Sequence, residues 1–490
     1  MTPEEERALL RKVDLAIVPF VSIAYLLAFL DRINIGQARV YGLEKELGLK
    51  GNDFAVALSV FFVGYVAFEI PSNIAFKKLK PARYITFMML SWGTTMTLMG
   101  VVHNAAGLKA ARFFLGLLEG GLFPGITFLI SCWYPRTQTN LRIALFFSAG
   151  ALAGAFGGII AFGISKIEGV AGLSGWRWIF IVEGLATIVI ATICYSSVPG
   201  FPDEPKSFLS PSESAKWNHH IQKDQGVILL DPDFNWSQVR NAFKDWKTWA
   251  YAVMYISIAQ PLYSIALFMP TIIKALGFTS ARANLLTVPP YVLGFITTNA
   301  VGYFSDRRAR RGASIALAMS FVVVGYSILI SPASFVVKYS AIFLVVAGVS
   351  PSIATAITWI GNNYGPVCTR ATAMGLFFTT GSSAGLISSN IYPSKESPRF
   401  IKGHAISLCF ACLAIVLALV LRWECRRQNL YRDQWVEASS SSSTHPVRGG
   451  DVDMANPTSR EEKEKWDYEH LTDREILELG DKHRGFRYIW

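Results

Sequence analysis

The chain has 490 residues, 52% of them hydrophobic and only 17% charged. Soluble domains carry roughly 25% charged residues, so this composition excludes an ordinary soluble protein and predicts an all-α polytopic membrane protein. The net charge of +11 follows the loops between apolar runs, so no nucleic-acid partner is needed to explain it.

The opening stretch, MTPEEERALLRKVD, sets acids before the first apolar run, unlike a secretory leader, and the first span is expected to stay in the protein. Twelve spans are predicted, over 13–37, 53–76, 82–102, 107–131, 142–165, 177–198, 249–275, 283–304, 314–331, 338–361, 369–392 and 403–422. Crossing the hydrocarbon takes about 20 apolar residues. The backbone inside it must satisfy its own hydrogen bonds, so each span is expected to be a helix. Ile143–Ile164, for example, has no ionisable group. Between spans six and seven, PGFPDEP opens a polar stretch and stops the preceding helix. After Arg422 comes a charged tail whose serine run, Ser439–Ser443, reads as a disordered linker. The expected organisation is a six-helix bundle over 1–198, a cytosolic loop over 199–247, a second bundle over 248–423 and a partly disordered cytosolic tail over 424–490.

The basic residues orient the chain. Lys77, Lys78, Lys80 and Arg83 follow span two, and Arg136 follows span four; Arg307, Arg308, Arg310 and Arg311 follow span eight; Arg422, Arg426 and Arg427 follow span twelve. All share one side if both termini are cytosolic. Lys395, Arg399 and Lys402 are exceptions, beside Glu396. The sequon at Asn235 would then lie in the cytosol and stay unmodified. The six cysteines offer no disulfide framework, and the pair Cys409/Cys412 falls within an apolar span as packing thiols. Neither a cofactor nor a metal is implied.

One helix face is written twice. FFSAGALAG begins at Phe146 and FFTTGSSAG at Phe377, 231 residues later, with five of nine positions identical. The glycine pairs Gly150/Gly154 and Gly381/Gly385 predict close packing between membrane helices. The repeat predicts two pseudo-symmetric six-helix bundles, with spans five and eleven equivalent, an arrangement many secondary transporters share.

Several motifs resemble a known family. Gly302-Tyr-Phe-Ser-Asp306-Arg307-Arg-Ala-Arg310-Arg311 resembles the loop that marks the major facilitator superfamily; the first-half counterpart, Asn73 to Arg83, keeps the bases but has no aspartate. LDRINIGQA (30–38), FEIPSN (68–73), RFFLGLLEGGLFPG (112–125), WYPR (133–136), GWRWIFIVEG (175–184) and LFMPTIIKALGF (267–278) are similar to segments of the anion:cation symporters. Within these the fungal allantoate permease branch is the nearest resemblance, and FRYIW (486–490) resembles its usual ending. The resemblance implies a major facilitator fold and proton-coupled uptake of small organic anions, among which ureides, nicotinate, pantothenate and biotin are known substrates of the branch.

An ionisable side chain at the centre of a membrane helix costs roughly 2.5–3.5 kcal/mol on insertion scales, so each needs a reason. Glu119, near the middle of span four beside Gly120 and Gly121, reads as a proton carrier or a structural carboxylate. Arg112 precedes it by two turns and faces the same way; it reaches a cavity or snorkels to the interface. Asp31 and Arg32 either end span one at the surface or, as the resemblance implies, lie in the transport path. There Arg32 would hold a substrate carboxylate while Asp31 exchanges a proton or restrains Arg32. Glu69, before Pro71, is a gate or a helix-end partner, and Glu183 reads as structural. In the second half no comparable buried charge appears. Gln260, Tyr263 and Asn299 are candidates for substrate contacts, with Tyr255, Trp359 and Asn362 beside them. Asp306, with Arg307 and Arg310, is the candidate conformational latch.

The leading reading is a proton-coupled symporter of a small organic anion, such as a carboxylate or a vitamin- or ureide-type compound, working as a monomer in the lipid bilayer of the plasma membrane. Efflux of an acidic metabolite is open on the same fold, as is a nutrient sensor that does not transport. A membrane enzyme would want HxxxD or HExxH at a membrane face; HExxH is absent, and the one HxxxD, His220 to Asp224, falls in the polar stretch between spans six and seven. Which anion is carried is not written in these motifs.

Overall fold

The computed structural model describes residues 2–78, 81–135, 138–164, 169–197, 200, 208–225, 236–308, 310–364, 367–442, 470 and 488–490. Arg136 lies outside the described residues, and so do the side chains of Asp306 and of Asn73 to Lys80.

Twelve long helices occur among the described residues, one at each predicted span. The first half comprises α1 (Pro3–Val40), α2 (Asp53–Lys78), α3 (Pro81–Met99), α4 in two segments (Ala105–Glu119 and Leu122–Trp133), α5 (Thr139–Ile164) and α6 (Gly175–Ser197). The second comprises α7 (Trp246–Ala275), α8 (Val288–Arg308), α9 (Arg311–Ile330), α10 (Phe335–Asn363), α11 (Val367–Asn390) and α12 (Ile401–Ser442). Two helices outrun their apolar runs. At α1 a capping box of Thr2 and Glu5 starts the helix early. At α12 the helix continues through the start of the serine run to Ser442, where a linker was expected, because adding residues to a helix already packed is cheap. The polar stretch between the halves also contains helices, Pro211–Gln225 and Trp236–Lys244.

Helices pair in the same pattern in each half. α1 packs on α5, α2 on α4 and α3 on α6; α7 packs on α11, α8 on α10 and α9 on α12. Between the halves α5 meets α8, α2 meets α11 and α1 meets α7. Helices α5 and α11 thus hold corresponding places, each on the first helix of its own half and against the second helix of the other.

The doubled motif explains these contacts, though by a different means than backbone-to-backbone packing. Gly150 seats the ring of Tyr25, where an added Cβ would lie 2.9 Å away, and Gly381 seats the ring of Tyr255 at 2.1 Å. Gly154 seats Tyr291 of α8 at 2.5 Å and Gly385 seats Phe62 of α2 at 2.1 Å, both from the opposite half. The first glycine of each pair therefore fits an aromatic ring within its half, and the second fits one across the interface. In α4, backbone does meet backbone. A Cβ at Gly116 would lie 2.0 Å from the Phe61 carbonyl oxygen and one at Gly120 2.5 Å from that of Tyr65. Gly120 and Gly121 keep right-handed dihedrals, so α4 bends little while lying close along α2. This close approach carries Glu119 to the centre of the molecule.

At the end of the molecule bearing the α1–α2 connection, Glu46 ties three elements together. Its carboxylate accepts hydrogen bonds from Ser174, from Trp176 Nε1 at 2.6 Å and from Arg177 Nε at 2.8 Å. Arg177 also donates to the carbonyls of Gly100 and Val102, which gives GWRW a structural role. Burial opposes ionisation of Glu46, and the bonds from Ser174, Arg177 and Trp176 overcome it, holding the carboxyl below its usual range. A depressed folded-state value stabilises above the ordinary carboxylate range and is lost as pH falls through it. Glu46→Gln is therefore expected to lower the melting temperature of purified protein at pH 7, by a margin that shrinks as pH falls below the ordinary carboxylate range. Gly381→Leu should be harsher, because the Tyr255 ring cannot yield to a branched side chain; the readout is loss of monodisperse protein in size-exclusion chromatography.

Candidate substrate and proton site

Arg32 is 5% exposed and lies between the halves. Its Nη2 donates to Glu119 Oε1 in a close ion pair, and its Nη1 donates to the Tyr263 hydroxyl at 3.2 Å. The Tyr65 ring lies 4.8 Å from the guanidinium and the Phe61 ring 5.6 Å. Three helices, α1, α4 and α7, thus converge on one cation. Arg32 and Tyr263 are 231 residues apart, the offset of the doubled motif, so they hold corresponding places in the two halves. One turn further along α1, Gly36 meets the Leu267 carbonyl at the same offset, with 2.4 Å available for a Cβ. That contact sets the separation of the halves beside the site.

Arg112 is fully buried with its guanidinium 4.5 Å from the Phe61 ring. Its three nitrogens make no hydrogen bond among the described residues, and the same holds for Glu119 Oε2. Asp31 stands apart. Successive residues on a helix point about 100° from each other, so Asp31 faces away from Arg32, toward Trp92 of α3 and Thr187 of α6, with Glu183 nearby. Arg32 and Glu119 form a direct pair, while Asp31 and Glu183 lie within the first half and Arg112 packs over Phe61. Glu69, 2% exposed, faces Thr379 and Ser382 of α11 across the interface.

A small central cavity opens beside Arg32. The first half contributes Tyr25, Phe29, Tyr65, Phe123 and Phe147, and the second Tyr255, Ala259, Leu262, Tyr263, Ile353, Phe378 and Ser382. Phe147 and Phe378 are the second phenylalanines of the doubled motif, so the repeat supplies a wall from each side. Sequence reasoning named Arg32 and Tyr263 but missed most of this aromatic lining, for which the FF pairs were the available signal. Gln260 turns into the second half, donating to Ser264 at 2.9 Å and Ser407 at 3.3 Å. Asn299 donates to the Phe295 carbonyl of its own helix at 2.8 Å. Neither lines this cavity. Of the latch residues, Asp306 is placed in α8 with its side chain undescribed, Arg307 stacks on Tyr303 at 4.5 Å, and Arg310 lies 5.6 Å from the Trp490 ring.

Known proteins match along most of this chain. The Major Facilitator Superfamily matches residues 21–389. An uncharacterized transporter of Schizosaccharomyces pombe is 35% identical over 442 residues, 90% of this chain and 88% of its own. The high-affinity nicotinic acid transporter of Saccharomyces cerevisiae is 34% identical over 425 residues, 86% of this chain and 79% of its own. An MFS-type transporter of Penicillium expansum is 34% identical over 99% of this chain and 90% of its own. Among solved structures, the proton:xylose symporter XylE superposes with a TM-score of 0.61 at 16% identity, covering 84% of this chain and 95% of that one. A bacterial homologue of the human lysosomal transporter Spinster, inward-facing and occupied, gives 0.60 at 13% identity, covering 83% and 96%. With twelve long helices among the described residues, repeated pairing, a family match over residues 21–389 and transporter relatives, the chain belongs to the Major Facilitator Superfamily.

Proposed function

We propose that this protein is a proton-coupled symporter that takes up a small monocarboxylate with an apolar or aromatic body. The observation that carries the reading is one buried arginine, held by one carboxylate, facing a cavity walled by aromatic rings. Charge matches a carboxylate and the rings match an apolar body. The nicotinic acid transporter among the relatives has a substrate of this kind, a carboxyl group on an aromatic ring. The topology that goes with this reading has two six-helix bundles over 1–198 and 248–423, cytosolic termini and a monomer in the plasma membrane.

Coupling follows from competition for Arg32. With Glu119 on the guanidinium, the pair is neutral and tolerable in a low dielectric. An incoming carboxylate must take that place, and it leaves Glu119 as an unpaired buried charge, which is costly. A proton on Glu119 removes the cost. Substrate and proton therefore favour each other's binding, and by linkage the effect is reciprocal. Alternating access would part the contacts that close the end bearing the α1–α2 connection, Gly36 on Leu267 and Ser59 on Asn390, with Glu69 against α11 on the way to the other end.

Reconstituted vesicles separate the roles. Glu119→Gln mimics the protonated acid, so it should retain substrate counterflow and lose accumulation driven by a proton gradient. Arg32→Ala should weaken substrate binding at least about tenfold, because a hydrogen bond to a charged group is worth roughly 1.5–3 kcal/mol and 1.4 kcal/mol is a factor of ten. Nicotinate and benzoate are the first substrates to try, with a sugar as the uncharged control. Wild-type, pH-dependent accumulation by Glu119→Gln would remove Glu119 from the coupling step.

A further inference from the structure

Residues 488–490 are seated on the second half, where the end of α10, the start of α7 and α12 come together. Two asparagines hold the segment by its backbone. Asn429 Nδ2 donates to the Tyr488 carbonyl at 2.8 Å, and the Tyr488 N–H donates to Asn429 Oδ1 at 2.9 Å. Asn363 repeats the arrangement on the next residue: its Nδ2 donates to the Ile489 carbonyl and its Oδ1 accepts from the Ile489 N–H, both at 2.9 Å. Trp359 Nε1 adds a bond to the Ile489 carbonyl at 2.7 Å. An asparagine amide that takes both the N–H and the C=O of one residue imitates a neighbouring β-strand, and it reads an extended peptide whatever its side chains.

The flanking rings supply selectivity. Tyr488 is buried, its hydroxyl accepts from Lys247 Nζ at 3.0 Å, and its ring lies 4.4 Å from Lys247 and 4.7 Å from the Arg432 guanidinium. The Trp490 ring stands 5.4–5.6 Å from three guanidiniums, Arg310, Arg422 and Arg426. Cations over aromatic faces attract, most strongly for tryptophan. These partners come from α7, α10, α12 and the turn between α8 and α9.

We propose that this end of the second half is a peptide-binding site, specific for an extended aromatic–aliphatic–aromatic segment, whose resident ligand is Tyr488–Trp490 and whose occupancy fastens the ends of α7, α10 and α12 and the α8–α9 turn to one another. The site is separate from the Arg32 cavity and independent of what that cavity carries.

The test uses a fluorescein-labelled peptide of residues 481–490 and purified protein in lipid nanodiscs. Protein lacking residues 488–490 should bind the peptide saturably, and full-length protein, its site filled, at least tenfold more weakly. Trp490→Ala in the peptide, or Asn363→Ala in the shortened protein, should each weaken binding at least tenfold. Hydrogen exchange of residues 359–364 and 424–432 should rise at least fivefold on shortening and fall back when peptide is added. Equal binding by both proteins, no binding by the shortened one, or exchange indifferent to the segment would overturn the proposal. Should the shortened protein not purify, full-length Asn363→Ala/Asn429→Ala decides the matter: exchange should rise at 359–364, and unchanged exchange there would overturn it.

Discussion

A guanidinium buried in the middle of a membrane protein needs a partner that offsets its charge. Arg32 meets that demand with a carboxylate from α4 and a phenol from α7, so its charge joins the two halves as well as two helices of the first. The glycines of α4 serve the same end. Without the contacts of Gly116 and Gly120 against the α2 backbone, α4 would stand further off and Glu119 would not reach the guanidinium. A side chain of almost no volume thus fixes where the most costly side chain can be. A fully buried ion pair gives little net stability. On the proposed function, what it provides is a position that an incoming anion contests.

The pair also explains why the repeat is imperfect. At corresponding places the first half has Arg32 and the second Tyr263, so the pseudo-symmetric frame has a cation on one side and a neutral phenol on the other. The packing glycines and the phenylalanines that wall the cavity stay alike because both halves must fit the same kind of ring at the same depth. The polar interior diverges. In the first half that interior is ionic, with Asp31, Arg112 and Glu183; in the second it is neutral, with Gln260, Ser264, Ser388 and Ser407 joined by hydrogen bonds.

Most of the fold was legible because lipid leaves the backbone few options. Each apolar run long enough to cross became a helix, and the errors fell at the ends, where Thr2 and Glu5 cap early and α12 runs on past Arg422. The charges of the site were legible for the same reason: Arg32 and Glu119 are conspicuous in apolar surroundings. Their grouping was less so. Asp31 and Arg32 are adjacent in sequence, yet helical phase sends them in different directions. Gln260 is polar enough to suggest a cavity residue, yet its amide nitrogen donates to serine hydroxyls inside the second half. The aromatic lining was hidden by abundance, since 13% of the chain is aromatic and nothing local separates a ring that faces a cavity from one that faces a neighbour. The seat of Tyr488–Trp490 was illegible in principle: its two asparagines are 66 residues apart on different helices, and an asparagine shows its partner only in three dimensions.

The arrangement of polar groups in depth suggests how one protein can keep an ion pair both stable and displaceable. Asp31 and Glu183 are enclosed by α1, α3 and α6, helices of a single half, and no contact of theirs has to break when the halves move. Arg32 and Glu119 also share the first half, but the hydrogen bond from Arg32 to Tyr263 crosses to α7, so a rocking motion of the halves changes that distance. Arg112 lies at the boundary, on the same face of α4 as Glu119, stacked on Phe61 and without a carboxylate of its own among the described residues. On the proposed function this second cation, stacked on a ring and within the field of Glu119 and Asp31, adds positive potential next to the pair. That potential would favour a carboxylate at Arg32 once Glu119 takes a proton, so the proposed site would stay attractive to an anion at the moment its own carboxylate becomes neutral.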